Sequence, residues 1–267
     1  MIHLASVVLR QPKERGENFP FNIPALQGVR EVTFSVPVTF LVGENGSGKS
    51  TFLEALAYAA RLTTVGSEHV TRDETLTAVW QLGKQMRLSW RRKTHKGFFL
   101  RAEDFFGYVK RLAQMEADLK REMAEMDEET EGRSVLAQGL ARMPFARELE
   151  AMRAQYGRNL ATFSHGESFL ELFQSRLKPN GFYLLDEPEA PLSPLRQLTL
   201  LSMIKHMVAA GCQFVIATHS PILMAFPGAE ILSFDERPLQ AVPYESLEHV
   251  VVTRSFLENP EQYLRHL

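Results

Sequence analysis

The sequence has very little cysteine and no long apolar run. A single cysteine, Cys212, occurs among 267 residues, within the apolar stretch GCQFVIA. One cysteine cannot form an internal disulfide or a C-x-x-C metal site, so we expect Cys212 to lie in the core and the protein to occupy a reducing compartment. No stretch approaches the roughly 18–20 apolar residues of a membrane helix, which predicts that the chain does not insert into a membrane.

An excess of charge of one sign is also absent. The 30 Lys and Arg residues nearly balance 32 Asp and Glu residues, so no global field favours nucleic acid or an anionic membrane. The N-terminal residues MIHLASVVLRQPKER alternate like a strand and place their basic residues after the apolar ones, the reverse of a signal peptide. We therefore expect a cytoplasmic protein.

Short apolar runs alternate with helical patterns along most of the chain. VTFLV at 38–42, GFYLLDE at 181–187 and CQFVIATHS at 212–220 have the composition of buried parallel strands. The residues before 38 contain further short β patterns broken by Pro and Gly, which we assign to antiparallel elements. Alternating strands and helices predict an α/β fold with a mainly parallel core sheet.

The segment from 108 to 169 differs from the rest in its dense charge. Apolar residues spaced three and four positions apart predict an amphipathic helix, followed by an acidic break (DEETEG) and a second helix. We interpret its apolar stripe as helix packing; the stripe consists of Val109, Leu112, Met115, Leu119, Met123 and Met126. The chain is predicted to be one domain, 1–267, with a core of 1–107 and 170–267 and a helical subdomain of 108–169.

The stretch GENGSGKS at 43–50 matches the phosphate-binding pattern G-x-x-x-x-G-K-[ST] at every fixed position. In such a loop, glycines let successive backbone N–H groups face phosphate oxygens, and the helix N-terminus adds partial positive charge. We expect Lys49 to contact the β- and γ-phosphates and Ser50 to bind Mg²⁺. The predicted nucleotide-binding residues are Gly43, Glu44, Asn45, Gly46, Ser47, Gly48, Lys49, Ser50 and Thr51.

Two further predicted strands end in polar residues. FYLLDE ends in Asp186 and Glu187, and QFVIATHS contains His219. Ligands bind at the carboxyl edge of open α/β sheets, so we expect these side chains to face the phosphates. Asp186 is predicted to hold Mg²⁺, and Glu187 to polarise the attacking water as a general base. His219 is predicted to sense the γ-phosphate, which makes Lys49, Glu187 and His219 the predicted catalytic residues.

The stretch FSHGESF at 163–169 precedes the acidic strand. A hydrolase triad is a poor interpretation, because triad members meet through the fold and the G-x-S-x-G elbow is absent. With the other three motifs in this order, the chain resembles the ATP-binding-cassette (ABC) class of P-loop ATPases, in particular small stand-alone bacterial members. FSHGE aligns with the signature loop of that class, commonly L-S-G-G-Q. The resemblance implies ATP and Mg²⁺ as cofactors and an ATP-dependent homodimer, in which Ser164, Gly166 and Glu167 contact ATP bound to the other subunit.

The sequence departs from the ABC pattern in three places. His165 replaces a signature glycine, which leaves the backbone less free. The glutamine that in the family links Mg²⁺ to a partner domain has no counterpart in GFFLRAEDFF, where Arg101 or Glu103 is the expected substitute. No aromatic residue is clearly assigned to stack on adenine, although Phe19 and Phe21 lie at a suitable distance upstream.

Three functions stay open at this point. The first is a soluble ATPase that acts on an unidentified protein partner through its helical insertion. The second is the nucleotide-binding subunit of a membrane transporter, which the missing glutamine argues against. The third is the ATPase module of a DNA-repair or phage-defence system, although the insertion lacks the C-x-x-C of a zinc hook. The basic run RLSWRRKTHK at 87–96 could contact nucleic acid, but we interpret it as a solvated hairpin tip.

Overall fold

The computed structural model describes residues 1–10, 19–65, 77–156 and 165–265. Two compact units divide the chain. Met1–Ala102 and Leu177–Leu267 form the first, called here the core unit, and Glu103–Arg176 form the second, called here the helical unit. None of the described helices combines the length and the apolar character required to cross a lipid bilayer.

The larger sheet of the core unit contains the strands that the sequence predicts to be parallel. In chain order they are β3 (Val38–Val42), β4 (Thr63–Thr64), β6 (Gly97–Arg101), β7 (Phe182–Asp186), β8 (Gln213–Ala217), β9 (Glu230–Ser233) and β10 (Gln240–Ala241). The spatial order is β10-β9-β3-β8-β7-β6-β4, and every neighbouring pair is parallel except β10 with β9. All residues of β3, β7 and β8 are buried, as expected for central strands covered on both faces. The predicted α/β class with a mainly parallel sheet is confirmed.

The smaller sheet is antiparallel, as expected for the N-terminal residues. It consists of β1 (Leu4–Leu9), β2 (Glu31–Thr33) and β5 (Met86–Trp90), in the order β2-β1-β5. The side-chain oxygen of Gln213, in β8, ties this sheet to the larger one by accepting hydrogen bonds from the N–H groups of His3 (2.7 Å) and Leu4 (2.8 Å). One apolar cluster contains buried residues of both sheets and of helix α1 (Lys49–Ala60).

The basic run between β5 and β6 is not a hairpin tip, and the sequence-based interpretation is wrong in this respect. β5 pairs with β1, whereas β6 pairs with β4 and β7, so the run connects two different sheets. Two β patterns around a short polar stretch suggest a hairpin. The partner of β5 is instead β1, near the N-terminus, and a local sequence pattern cannot reveal so distant a partner.

The other helices of the core unit are α2 (Thr77–Gln85), α6 (Pro194–Ala209), α7 (Pro221–Met224), α8 (Glu248–Glu258) and α9 (Pro260–Leu264). Ser220 caps α7, because its hydroxyl accepts a hydrogen bond from Leu223 N–H (3.2 Å). This cap fixes the chain where it leaves β8. Cys212, just before β8, is fully buried, which confirms its predicted place in the core.

The helical unit consists of α3 (Ala102–Glu129), α4 (Val135–Tyr156) and α5 (His165–Arg176). The acidic break predicted between the first two helices is present. Phe169 packs on Phe105 with ring centroids 4.9 Å apart. The packing predicted for the apolar stripe is wrong at Met115, which is 52% exposed. The adjacent Glu116 is buried instead, and its carboxylate lies 3.0 Å from Lys120 Nζ. Helical spacing alone does not distinguish which side of such a charged helix is covered.

Candidate functional site

The loop between β3 and α1 turns at glycines with positive φ. Gly43 and Gly48 have φ of +145° and +105°, a region that side-chain-bearing residues rarely adopt. A Cβ on Gly48 would lie 2.6 Å from Ile23 Cγ2, so this position also has no room for a side chain. Because Gly48 is the N-cap of α1, the loop brings a helix N-terminus to the carboxyl end of β3.

Lys49 is almost completely buried, with 4% of its surface exposed. Its Nζ donates hydrogen bonds to Gly43 O (2.7 Å) and Glu44 O (2.9 Å), so the side chain folds back across the loop. Burial lowers the pKa of Lys49, an effect opposed by four carboxylates, those of Glu187, Asp235, Asp186 and Glu44. The loop therefore contains a buried cationic group where the sequence predicts contact with phosphate.

The outer part of the loop is open to solvent and tied down at one end. Glu44, Asn45 and Gly46 are exposed. Glu44 N–H donates a hydrogen bond to Asp235 Oδ1 (2.8 Å), just after β9, a contact that sequence reasoning missed. Ser47 Oγ is buried and makes no hydrogen bond to any residue that the structure describes, so this hydroxyl is available to a ligand.

Ser50 and Asp186 meet beside the loop. Ser50 Oγ donates a hydrogen bond to Asp186 Oδ1 (3.1 Å), which joins the start of α1 to the end of β7. Burial raises the pKa of Asp186 to about 7; the Ser50 hydroxyl opposes this rise, and the carboxylate of Glu187 adds to it. A bound divalent cation would relieve the cost of this buried carboxylate.

Glu187 follows β7 in a left-handed backbone conformation, with φ of +49°. A residue with a side chain pays about 1–2 kcal/mol for this conformation, so the surrounding structure must hold it. Its N–H donates a hydrogen bond to Ala217 O (2.9 Å) at the end of β8, and its Oε1 lies 3.7 Å from His219 Nε2. The two predicted catalytic side chains are thus neighbours.

His219 emerges at the same edge of the sheet, because β8 runs parallel to β7. Its backbone N–H donates a hydrogen bond to Glu189 Oε1 (2.8 Å), and its ring Nδ1 lies 3.0 Å from His249 Nε2, on α8. Burial lowers the pKa of His219, and the positive charges of Lys49 and His249 lower it further. Sequence reasoning did not find Glu189 or His249.

Arg101, one of two candidates for the position of the missing glutamine, lies in the core unit. It ends β6 directly opposite Asp186 in the sheet register. Its guanidinium donates a hydrogen bond to Glu54 Oε1 (2.6 Å), and its charge opposes the rise in the pKa of Asp186. The other candidate, Glu103, is exposed at the start of the helical unit.

The two aromatic candidates for adenine stacking differ in their surroundings. Phe19 is 54% exposed, whereas Phe21 packs against the apolar core of the core unit. Ile23, two positions further on, contacts the loop at Gly48. The ring of Phe19 is thus open to a ligand, and its role in stacking on adenine stays a prediction.

The predicted signature loop is only partly covered by the structure. Ser164 lies outside the described residues. His165, Gly166 and Glu167 form the start of α5, and the side chains of His165 and Glu167 likewise lie outside the part of the chain that the structure describes. The contacts predicted for this loop stay predictions.

The residues at the carboxyl edge of the large sheet suit a magnesium nucleotide. Ser50 and Asp186 offer two hard oxygen ligands, and the described residues contain no group of three or more His, Cys, Asp or Glu able to hold a metal by themselves. Mg²⁺ commonly binds one or two protein oxygens and takes its other ligands from phosphates and water. The buried, unpaired hydroxyl of Ser47 and the cation of Lys49 supply donors for phosphate.

This fold and this arrangement of motifs are consistent with an ABC-type P-loop ATPase, the class that the sequence resembles. Two family models match parts of the chain. Residues 22–68, which contain the glycine loop, match an AAA domain. Residues 169–225, which contain β7 and β8, match a model described as AAA domain, putative AbiEii toxin, Type IV TA system. No curated protein matches the sequence.

Solved structures that this chain is similar to include an SMC head domain and a part of an ABC transporter complex. The SMC head domain from Thermotoga maritima is 17% identical, with 91% of this chain and 99% of that chain covered and a TM-score of 0.44. CbiO1 from Clostridium perfringens, part of the ABC transporter complex cbiONQ, is 13% identical, with 100% of both chains covered and a TM-score of 0.49. Similarity at this level does not indicate which function the chain performs.

Proposed function

We propose that the chain is a Mg²⁺-dependent ATPase that acts in the cytoplasm. The observation that carries this proposal is the convergence of five side chains at one edge of the parallel sheet: Lys49, Ser50, Asp186, Glu187 and His219. They come from three chain segments, and each type of side chain has a separate part in phosphoryl transfer to water.

Binding of the nucleotide is assigned to the glycine loop and α1. The backbone N–H groups of 43–51, apart from that of Glu44, which donates to Asp235, would hold the phosphates together with the Lys49 ammonium, since these are donors at a helix N-terminus. Ser50 Oγ and Asp186 would hold Mg²⁺. Mg²⁺, when bound, supplies neutralisation of phosphate charge.

Hydrolysis is assigned to Glu187 with the help of His219. Glu187 would accept a proton from the attacking water as general base. The hydrogen bond from its N–H to Ala217 O holds its strained backbone, and so holds the position from which the carboxylate extends. His219 Nε2, buried and without a hydrogen bond to the described residues, is available to donate to the γ-phosphate.

Dimerisation is the part of the proposal that rests on the resemblance. Ser164, together with Gly166 and Glu167 in the first turn of α5, would contact ATP bound to a second copy. A protein partner at the helical unit would then respond to the assembly and separation of the dimer.

The test is phosphate release by the purified chain, with and without Mg²⁺, combined with Ser164→Arg. We expect Mg²⁺-dependent release from the wild type. Ser164→Arg should bind ATP as the wild type does but fail to dimerise, because its long cationic side chain would occupy the contact. Hydrolysis by a stable monomer, or a dimer that still forms with Ser164→Arg, would contradict the composite site.

A second candidate function, an ATPase coupled to nucleic acid, is favoured by a basic cleft in the core unit. The cleft has a volume of about 670 Å³ and is lined by residues around the end of α1, the end of α2 and β5. Its described wall contains no acidic residue, and Trp90 and Leu88 supply apolar surface. The cationic side chains in its wall are Arg10, Arg61, Lys84, Arg87 and Lys93.

The charges of the cleft suit a phosphate backbone better than a small ligand. All five cations are exposed, so they form a rim of long, adaptable side chains. Contacts of this type release counterions, and the affinity then falls steeply with salt. The second candidate thus predicts salt-dependent binding of nucleic acid at this cleft.

The test for the second candidate is the anisotropy of a labelled DNA duplex titrated at several salt concentrations. Replacement of Lys84, Arg87 and Lys93 by Ser should reduce the slope of log K against log salt by about 2–3, since each phosphate contact contributes about 0.9. The matched control replaces three exposed cations outside the cleft, Arg30, Lys205 and Arg254. An equal effect of both triple variants, or no binding by the wild type, would remove the second candidate.

A further inference from the structure

Two histidines from distant parts of the chain form a pair at the edge of the sheet. His219 Nδ1 lies 3.0 Å from His249 Nε2, and the ring centroids are 5.1 Å apart. At this distance one nitrogen carries a proton and the other accepts it in a hydrogen bond. The pair connects the end of β8 with α8, near the C-terminus.

The surrounding structure holds His249 in place. Leu247 and Val250 are buried on either side of it, which anchors the first turn of α8. Tyr244 OH, just before α8, donates a hydrogen bond to Pro221 O (3.1 Å), at the start of α7. His249 is therefore presented to His219 by an element fixed to the same part of the core.

The surroundings of the second ring nitrogen of His219, Nε2, indicate which tautomer can donate a hydrogen bond there. Nε2 is buried and lies 3.7 Å from Glu187 Oε1, an acceptor. A phosphate oxygen is also an acceptor, so both possible partners of Nε2 require that it carry the proton. A neutral imidazole with its proton on Nε2 has a lone pair on Nδ1, which needs a donor.

We propose that His249 is a positioning residue that donates its Nε2–H to His219 Nδ1 and so holds His219 as the tautomer with its proton on Nε2. The proton then points to the side of the ring where Glu187 lies. Charged groups that act on His219 are Lys49, Glu187 and Glu44, besides His249 itself. None of the first three makes the hydrogen bond to His219 Nδ1, which is made by His249 on α8.

The role in hydrolysis rests on the proposed ATPase function, whereas the tautomer can be measured without any nucleotide. The ¹⁵N shifts of the His219 ring, assigned by loss of its signals in His219→Gln, distinguish a proton on Nε2 from one on Nδ1. We expect the Nε2–H tautomer in the wild type and in His249→Gln, whose amide can donate from a similar place. His249→Leu should show a mixture of tautomers, because it retains bulk but has no donor.

The matched control is His206→Leu, which changes an exposed histidine on α6. It should leave the His219 signals unchanged. A wild type with its proton on Nδ1, or a His249→Leu protein with the wild-type tautomer, would overturn the proposal. Either result is independent of whether ATP is hydrolysed.

The kinetic arm tests the consequence for catalysis. His249→Leu should lower kcat by about tenfold with little change in KM for ATP, and His249→Gln should restore most of it, in line with groups that orient a functional histidine. Wild-type kcat in His249→Leu would refute the positioning role even if the tautomer shifts. Absence of hydrolysis in the wild type would instead contradict the proposed function and leave the ¹⁵N result to decide the hydrogen bond.

Discussion

The central strands of the core unit and the long helices of the helical unit place their apolar residues very differently. In the core unit the central strands β3, β7 and β8 are buried along their whole length, and the polar side chains of the candidate site lie where the strands end. In the helical unit several large apolar residues are exposed, among them Val135 (87%), Leu136 (74%) and Leu140 (56%). Residues of the core unit thus specify a sheet and the chemistry at its edge, whereas many residues of the helical unit specify a surface.

Substitutions in the two units should differ most in their effect on the rate of ATP hydrolysis. Glu187→Gln should bind ATP but hydrolyse it roughly 10²–10⁴-fold more slowly, because the general base is lost. Single-turnover phosphate release measures this rate. Glu122→Gln, the same exchange at an exposed position of α3, is the control and should hydrolyse ATP like the wild type. Equal rates in both variants would break the assignment of catalysis to the core unit.

The next largest effect is expected on stability. Leu184→Ala removes a fully buried side chain from β7 and should cost about 2–5 kcal/mol of the free energy of unfolding. Leu136→Ala makes the same change on the exposed side of α4 and should cost no more than about 0.5 kcal/mol. Urea unfolding gives both values. A large cost at Leu136 would show that this surface is covered, for example by a second copy, and would weaken the contrast between the units.

Lys49→Ala should weaken ATP binding by about 3 kcal/mol, roughly 100-fold, because a buried cation aimed at phosphate is removed. Calorimetric titration with a non-hydrolysable ATP analogue and Mg²⁺ measures the affinity. Arg111→Ala, which removes an exposed cation of the helical unit, is the control and should bind like the wild type. Unchanged binding by Lys49→Ala would overturn the location of the site.

An effect on stability that depends on pH is expected at Asp186. Its pKa is raised from 3.8 to about 7. The folded state therefore has its full stability with respect to this group below pH 3.8, where the carboxyl is neutral, and loses that stability as the pH rises through about 7. Asp186→Asn cannot ionise, so without Mg²⁺ it should exceed the wild type in stability at pH 8, by at most about 4 kcal/mol. The advantage should shrink at pH 5, and unfolding with chelator at both values measures it. An advantage equal at the two values would show that Asp186 does not titrate in this range.

Most of the candidate site is suggested by the sequence because its signals are local. The glycine loop, the acidic end of FYLLDE and the histidine of QFVIATHS are each short patterns at the end of an apolar run, and parallel pairing brings such ends together. The residues that contact them across the fold could not be found in this way. Asp235, Glu189 and His249 act through contacts made by the tertiary fold, and no motif marks them.

The fold shows the same limit. The parallel strands were predictable from their apolar composition, since both faces are covered. The pairing of β5 with β1 was not, because both are ordinary alternating strands whose partner depends on the whole topology. Helical spacing also mispredicts the covered side of the helical unit at Met115, because spacing alone gives no sign of the buried Glu116.

The most direct test of the composite site is the solution mass of the Glu187→Gln protein, measured by light scattering with and without Mg-ATP, with bound nucleotide quantified in the same sample. We expect a monomer without nucleotide and twice that mass with Mg-ATP, because each core unit would then share its ATP with the signature loop of the other copy. A monomer that carries bound ATP would contradict this account, since the signature loop would then have no role in closing the site.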